Sequence, residues 1–153
     1  MQTRTPEDAA LAAVLRLIRL HATLEARFDA SLGAVHGLGL NDLVLLLNLE
    51  RAEGGVMRRT DLASALALSQ STVTRKAAPL EKLGFVERRS DARDARVGLL
   101  ALTDAGRERV RDAQATLRRL AGDVFADRWS DVDLQTLAEL LGRLTAALPG
   151  HVK

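Results

Sequence analysis

The chain has no cysteine, which excludes disulfides, a thiol redox switch and any thiolate metal site. Its three histidines, His21, His36 and His151, are far apart and have no cysteine companion, so no metal site is expected. Aromatic residues make up 3% of the chain, too few for the stacking platforms that hold single-stranded nucleic acid. No apolar run approaches the roughly 20 residues of a membrane span, and no N-terminal segment pairs a charged start with a signal-like apolar core. A cytoplasmic protein without a membrane partner is therefore expected. Gly37-Leu38-Gly39 lacks both the third glycine and the preceding strand of a dinucleotide-binding turn. There is no P-loop, and no serine sits in a nucleophile elbow. These absences argue against an enzyme and leave no cofactor to assign.

What the chain does contain is ordinary in bulk and uneven in detail. With 153 residues, 47% hydrophobic and 27% charged, it can bury a substantial core as one domain. The net charge of +2 hides an asymmetry: residues 51–96 carry 10 basic and 6 acidic side chains, and the remainder carries 12 and 14. The basic excess is local, and a local basic excess marks a candidate polyanion-binding face.

That face coincides with the stretch LSQSTVTRKAAPLEKLGFVERRSDARDAR, residues 68–96. Ser69 is a good N-cap, and spacing predicts a helix over residues 70–83 that buries Val73, Ala77 and Leu80 and turns Ser71, Arg75 and Lys82 outward. Gly84 stops it. Upstream, Thr60 is placed to cap a helix from Asp61 whose Leu62, Ala65 and Leu66 face the second helix across a turn at residues 67–69. Downstream, FVERR (residues 85–89) and VGLLAL (residues 97–102) have strand composition, and the charged loop SDARDAR joins them into a hairpin. Pro79 inside the second helix removes the bond to the Arg75 carbonyl. It either bends the helix toward its target or is a tolerated irregularity near the last turns.

The run LxxLGFVERRSDxRDxRVxxxxLTxAG over residues 80–106, with SQSTVTR before it, resembles the winged helix-turn-helix regulators of the MarR (multiple antibiotic resistance regulator) family. The resemblance covers essentially the whole chain and is most specific in the wing, Asp94-Ala95-Arg96 followed by a strand and Leu102-Thr103. Ala67 stands where the inter-helix turn of such proteins often has glycine, and Ala92 and Ala95 stand where proline and arginine are frequent. The fold implied is mainly α (α+β): a winged helix-turn-helix core with a small β-hairpin wing, flanked by N- and C-terminal dimerisation helices. Within a single domain over residues 1–153, the winged region is expected at 41–102 and the dimerisation region at 5–32 and 104–148. The absence of cysteine rules out the thiol-oxidation sensing used in one branch of that family.

The flanks support this layout. Thr5-Pro6-Glu7-Asp8 is a strong helix start, with a capping threonine, proline at the first position and acids in the first turn. The helix should run to about Ser31 with Leu11, Val14, Leu15, Ile18, Leu24 and Phe28 on one broad face, widened by Leu17 and Leu20. Asn41 is placed to cap a second, nearly all-apolar helix that ends at Gly54-Gly55, and Val56-Met57 is placed for a short strand beside the hairpin. After the wing, Thr103 caps a long helix marked by Val110, Ala113, Leu117, Leu120 and Val124. Ser130 and Asp133 form a capping box for a last helix carrying Leu134, Leu137, Leu141, Leu144 and Leu148, before Pro149-Gly150. Such stripes pack either within the chain or across a homodimer. Three extra amphipathic helices exceed what one helix-turn-helix can use, which favours the dimer and an inverted-repeat target with major grooves about 34 Å apart.

Site residues follow from chemistry and resemblance together. Ser69, Gln70, Ser71 and Thr74 offer short polar groups near the start of the reading helix, and Arg75 can pair bidentately with guanine. Arg58, Arg59, Arg88 and Arg89 are phosphate candidates. The resemblance implies that Arg96 enters the minor groove with Asp94 orienting it. Arg93 is either a second tip contact or part of a solvated turn. The family commonly binds small aromatic or phenolic anions between its helical and winged regions. If the resemblance extends so far, Arg16, Arg19, His21, Arg51 and Trp129 are the ligand candidates, although a histidine or tryptophan in such positions is equally an interface or core residue. The function implied is a homodimeric, sequence-specific duplex-DNA-binding regulator, a repressor released by a small-molecule effector. A winged-helix protein-interaction module without DNA reading and a ligand-independent regulator are the alternatives.

Overall fold

The computed structural model describes residues 5–91 and 97–147. The chain divides into two compact units, residues 1–40 and 41–153. The first is dominated by one helix, α1 (Pro6–His36). The Thr5 hydroxyl accepts from the Asp8 amide at 3.2 Å and the Asp8 carboxylate accepts from the Thr5 amide at 3.1 Å, completing a capping box. The helix does not end near Ser31. It passes through Gly33 and stops at Gly37, whose φ of +66° suits glycine and whose N–H donates to the Gly33 carbonyl at 3.1 Å. Phe28 and Leu32 are buried, whereas Leu11, Val14, Leu15, Ile18 and Leu20 are exposed.

Helix α2 (Leu40–Arg51) leads into the second unit, and Leu43, Leu45, Leu46 and Leu49 make it a core helix. Asn41 does not cap it. The helix has already begun at Leu40, whose amide donates to Asp29 Oδ1. A 3-10 turn at Glu53–Gly55 precedes β1 (Val56–Arg58), α3 (Arg59–Ala65), α4 (Gln70–Lys82), β2 (Val86–Ser90), β3 (Gly98–Leu102), α5 (Asp104–Phe125) and α6 (Asp131–Ala147). The sheet order is β1-β3-β2, with both pairs antiparallel. Val56 lies opposite Ala101, Val86 opposite Leu102, and Ser90 opposite Gly98 at the wing end. The fold is mainly helical, a winged helix-turn-helix with a three-stranded sheet.

Two details of the helix-turn-helix depart from expectation or extend it. Thr60 does not cap α3: the helix starts at Arg59, two residues before Asp61, and the Thr60 hydroxyl donates to Asp61 instead. The turn into α4 is a Schellman motif, in which the Leu68 amide donates to the Ala63 carbonyl at 2.9 Å and the Ala67 amide to that of Ser64 at 3.2 Å. Ala67 takes the left-handed φ of +52° that the motif requires. Helix α4 buries Val73, Ala77 and Leu80, as its spacing predicts, and runs unbroken through Pro79. A second Schellman motif, built on Gly84 with φ +74°, closes it.

That closure is bolted to α5. The Thr103 hydroxyl caps α5 by accepting from the Gly106 amide at 3.0 Å and donates to the Gly84 carbonyl at 2.6 Å, while the Thr103 amide donates to the Phe85 carbonyl at 3.1 Å. Gly106 lies so close that a Cβ would overlap the Phe85 carbonyl oxygen. The end of α4 therefore cannot shift without moving the start of α5. Ser130 and Asp133 cap α6 as expected. No single described helix is long and apolar enough to cross a membrane.

Candidate nucleic-acid interface

The outward face of α4 is polar because its inward face is committed to the core. Ser69 accepts from the Thr72 amide at 3.2 Å, and its hydroxyl shares hydrogen bonds of 2.9 Å with those of Ser71 and Thr72. Gln70, Ser71 and Arg75 are exposed on the first turns, so a partner can reach them without any rearrangement of the core. Thr74 is partly buried and already engaged: its hydroxyl donates to the Gln70 carbonyl at 3.0 Å and accepts from Arg59 Nη1 at 3.3 Å. Of the short polar residues singled out from sequence, Ser69 and Thr74 are thus held by the protein itself, while Gln70 and Ser71 face outward.

Arginines frame the hairpin beside this face. Arg88 pairs with Glu81 at 2.9 Å, Arg89 with Glu87 at 2.5 Å, and Arg58 lies 4.0 Å from Asp91. All three are about half exposed, and surface pairs of this kind are worth only about 0–1 kcal/mol, so a polyanion can compete for each guanidinium. A cavity of about 250 Å³ is lined by Arg59, Arg88, Arg89 and Ser90 with residues 97–99, and one of about 220 Å³ by Arg58, Arg59, Thr60 and Gln70 with Val97 and Gly98. Sequence reasoning found these arginines but not the acids that hold them, because Glu81 and Glu87 read equally well as solvated charges. The wing-tip candidates Arg93, Asp94 and Arg96 lie outside the described residues.

The ligand candidates fall in both units. Arg16, Arg19 and His21 are exposed on α1, where His21 Nε2 is 3.6 Å from Glu25. Arg51 ends α2. Trp129 lies between α5 and α6, edge-on to Phe125 with ring centroids 5.8 Å apart, and the apolar cleft it lines is completed by Ala121, Gly122, Ala126, Asp127 and Leu134. Among the described residues, no group of histidine and carboxylate side chains could hold a metal ion.

A helix-turn-helix with an accessible polar second helix, a sheet hairpin beside it and arginines along the hairpin together define a winged-helix protein. Comparison with known proteins narrows the class. The sequence matches the MarR family over residues 36–97. It is 32% identical over 120 residues to the uncharacterized HTH-type transcriptional regulator YxaD of Bacillus subtilis, an overlap of 78% of this chain and 81% of that one. Over 76 residues, 48% of this chain and 43% of the relative, it is 37% identical to the transcriptional repressor MprA of Escherichia coli. Sco3205, a MarR family transcriptional regulator from Streptomyces coelicolor crystallised in complex with DNA, matches with a TM-score of 0.79 at 25% identity, covering 95% of this chain and 89% of that one. The chain belongs to the MarR family of transcriptional regulators, which are not enzymes.

Proposed function

We propose that the protein is a cytoplasmic homodimer that reads an inverted-repeat duplex and represses transcription until a small aromatic or phenolic anion releases it. The observation that carries this reading is the exposed Gln70, Ser71 and Arg75 on the first half of α4, braced by a buried opposite face and flanked by the Arg88 and Arg89 strand. In this reading Gln70, Ser71 and Arg75 contact base edges and Arg88 and Arg89 contact phosphates. Arg93 and Arg96 work from the wing tip, with Asp94 orienting Arg96. The structure of Sco3205 in complex with DNA supports a duplex partner, and the repressor MprA supports the sign of regulation. The exposed apolar residues of α1 and of α6 support a dimerisation role for 5–32 and 104–148 flanking a winged region at 41–102. Arg16, Arg19, His21, Arg51 and Trp129 remain the residues through which an effector would act, and it relieves repression only if it prefers the dimer geometry that does not fit the operator.

The test is binding to the duplex upstream of the protein's own gene against an unrelated duplex, at low and physiological salt. Preference by roughly a thousandfold or more is expected of a specific reader. Equal, salt-sensitive binding to both would contradict sequence reading at that locus. No binding to either would move the assignment to a winged-helix interaction module.

A further inference from the structure

Four arginines surround the outer part of the hairpin, and one of them is held differently from the rest. Arg58, Arg88 and Arg89 are exposed and each lies beside a carboxylate. Arg59 is partly buried, and its described partner is neutral: Nη1 donates to the Thr74 hydroxyl on α4. That hydroxyl spends its own proton on the Gln70 carbonyl, so its lone pairs are left to accept from Arg59. On the way to Thr74 the guanidinium lies across Gly98, the first residue of β3. A Cβ built there would come within 2.6 Å of Arg59 Cζ and overlap Nε and Nη2. Gly98 does not adopt a left-handed backbone, so no turn geometry calls for glycine; what the position provides is room for Arg59. One side chain thus starts on α3, crosses the outer end of the wing strand and ends on the N-terminal half of the reading helix. With Val97 and Gly98 it lines both of the cavities described above.

We infer that Arg59 is a positioning residue whose guanidinium, packed on Gly98 and bonded to Thr74, fixes the angle between wing and reading helix, and that it is not a phosphate ligand. The inference rests on the proposed reading of duplex DNA for its consequence but not for its geometry. It also reassigns Thr74, which becomes the anchor for Arg59 in place of a base contact. The wing is already tied at its base, where the Gly84 and Phe85 carbonyls accept from Thr103, and along β1, where Arg58 lies opposite Leu99. Arg59 adds a side-chain link from the outer end of β3 to the N-terminal half of α4, which neither of those ties reaches.

The test uses the full chain and three variants that disturb the strut from different sides. Arg59→Met removes the guanidinium, Thr74→Val removes its anchor, and Gly98→Ala displaces it while leaving every charge in place. Gly98→Ala is the sharpest of these, because alanine in an ordinary backbone conformation stiffens the unfolded chain and by itself stabilises. Hydrogen exchange on the free protein should nevertheless quicken by roughly tenfold in β2 and β3 in all three variants and remain unchanged in α5, since one hydrogen bond to a charged group is lost. Binding to the duplex upstream of the protein's own gene should weaken by a similar factor with an unaltered salt slope, because no phosphate contact is lost. Exchange at the wild-type rate in Gly98→Ala and Thr74→Val would overturn the strut. So would an Arg59→Met variant whose salt slope falls by about one while the other two bind normally, the signature of a phosphate ligand. Should the wild-type protein prefer neither duplex, DNA reading at that locus fails, and the exchange rates still decide the role of Arg59.

Discussion

In the winged core Leu62, Val73, Leu80, Val86 and Leu100 are shut away from solvent, while on the terminal helices Ile18, Leu140 and Leu144 keep 60%, 53% and 43% of their surface exposed. Fully burying a side chain of this size is worth about 1.5–3 kcal/mol, so the core has collected that stabilisation within one chain and the terminal helices have not. Helix α4 of the core and the terminal helices carry the same three-four apolar spacing. What separates them is whether a facing surface exists in the same chain. The core is a finished object, whereas the terminal helices present the apolar stripes of an unfinished one, which is the physical basis for proposing a dimer.

The contrast breaks most visibly under matched substitutions. Leu62→Ala should lower unfolding stability by about 2–5 kcal/mol at every protein concentration, since it opens a cavity in a closed core. Charges at Leu140 and Leu144 should leave the fold of the single chain intact, because both sites are exposed in it, yet abolish dimers and tight duplex binding together. Denaturation followed across protein concentrations, with light scattering for mass, separates the two responses. A monomeric Leu140→Glu, Leu144→Glu variant that still held its operator tightly would contradict the division of labour.

Within the core, the reading helix and the hairpin should also part company. Arg75→Ala is expected to cost about 1–3 kcal/mol of discrimination at one base pair in each half-site and to leave unrelated duplexes nearly untouched. Arg89→Ala is expected to weaken all duplexes alike and to lower the salt slope by about one. Titrations of a base-pair substitution series at several salt concentrations check both, and identical behaviour of the two variants would remove the distinction between base and phosphate contacts.

A smaller effect of opposite sign is expected at the turn between α3 and α4. The Schellman motifs that end these two helices are alike in hydrogen bonding, but Gly84 occupies one left-handed position and Ala67 the other. A residue with a Cβ gives up about 1–2 kcal/mol in that conformation, and glycine returns part of the gain through its greater freedom when unfolded. Ala67→Gly should therefore stabilise the core by about 0.5–1 kcal/mol, read as a raised thermal midpoint with unchanged duplex affinity.

How much of this could be read from the sequence depends on how local each cause is. Helix α4, its cap at Ser69, its buried Val73, Ala77 and Leu80 and its stop at Gly84 follow from neighbours a few residues apart, and all were legible. The hairpin was legible too, to within a residue at each end. The start of α3 was not, because Thr60 has the chemistry of a cap and the chain turns it to Asp61. Likewise Asn41 yielded to Asp29, eleven positions before Leu40, as the partner of the first α2 amide. The engagement of Thr74 by Arg59 depends on a missing Cβ at Gly98, a non-local fact that no spacing rule reports.

The terminal helices should also respond to acid through their caps. Two carboxylates held below the ordinary aspartate range are Asp8 and Asp133, and each caps a terminal helix: hydrogen bonds from Thr5 to the first and from Ser130 to the second favour the charged form. A carboxylate whose folded pKa is depressed contributes stability that is fully present above its unfolded value and is lost as pH falls through the folded one. The first turns of α1 and α6 should thus loosen below the usual carboxylate range, with the Asp133 carboxyl carbon titrating at a lower pH in the folded protein than in an unfolded peptide of the same sequence. Asp133→Asn keeps an acceptor but has no charge to lose, so α6 in that variant should be slightly less helical at neutral pH and lose less on acidification. A folded Asp133 that titrates like the peptide would show that the Ser130 box forms without favouring the anion, and the cap would then add nothing pH-dependent to the helix most exposed to solvent.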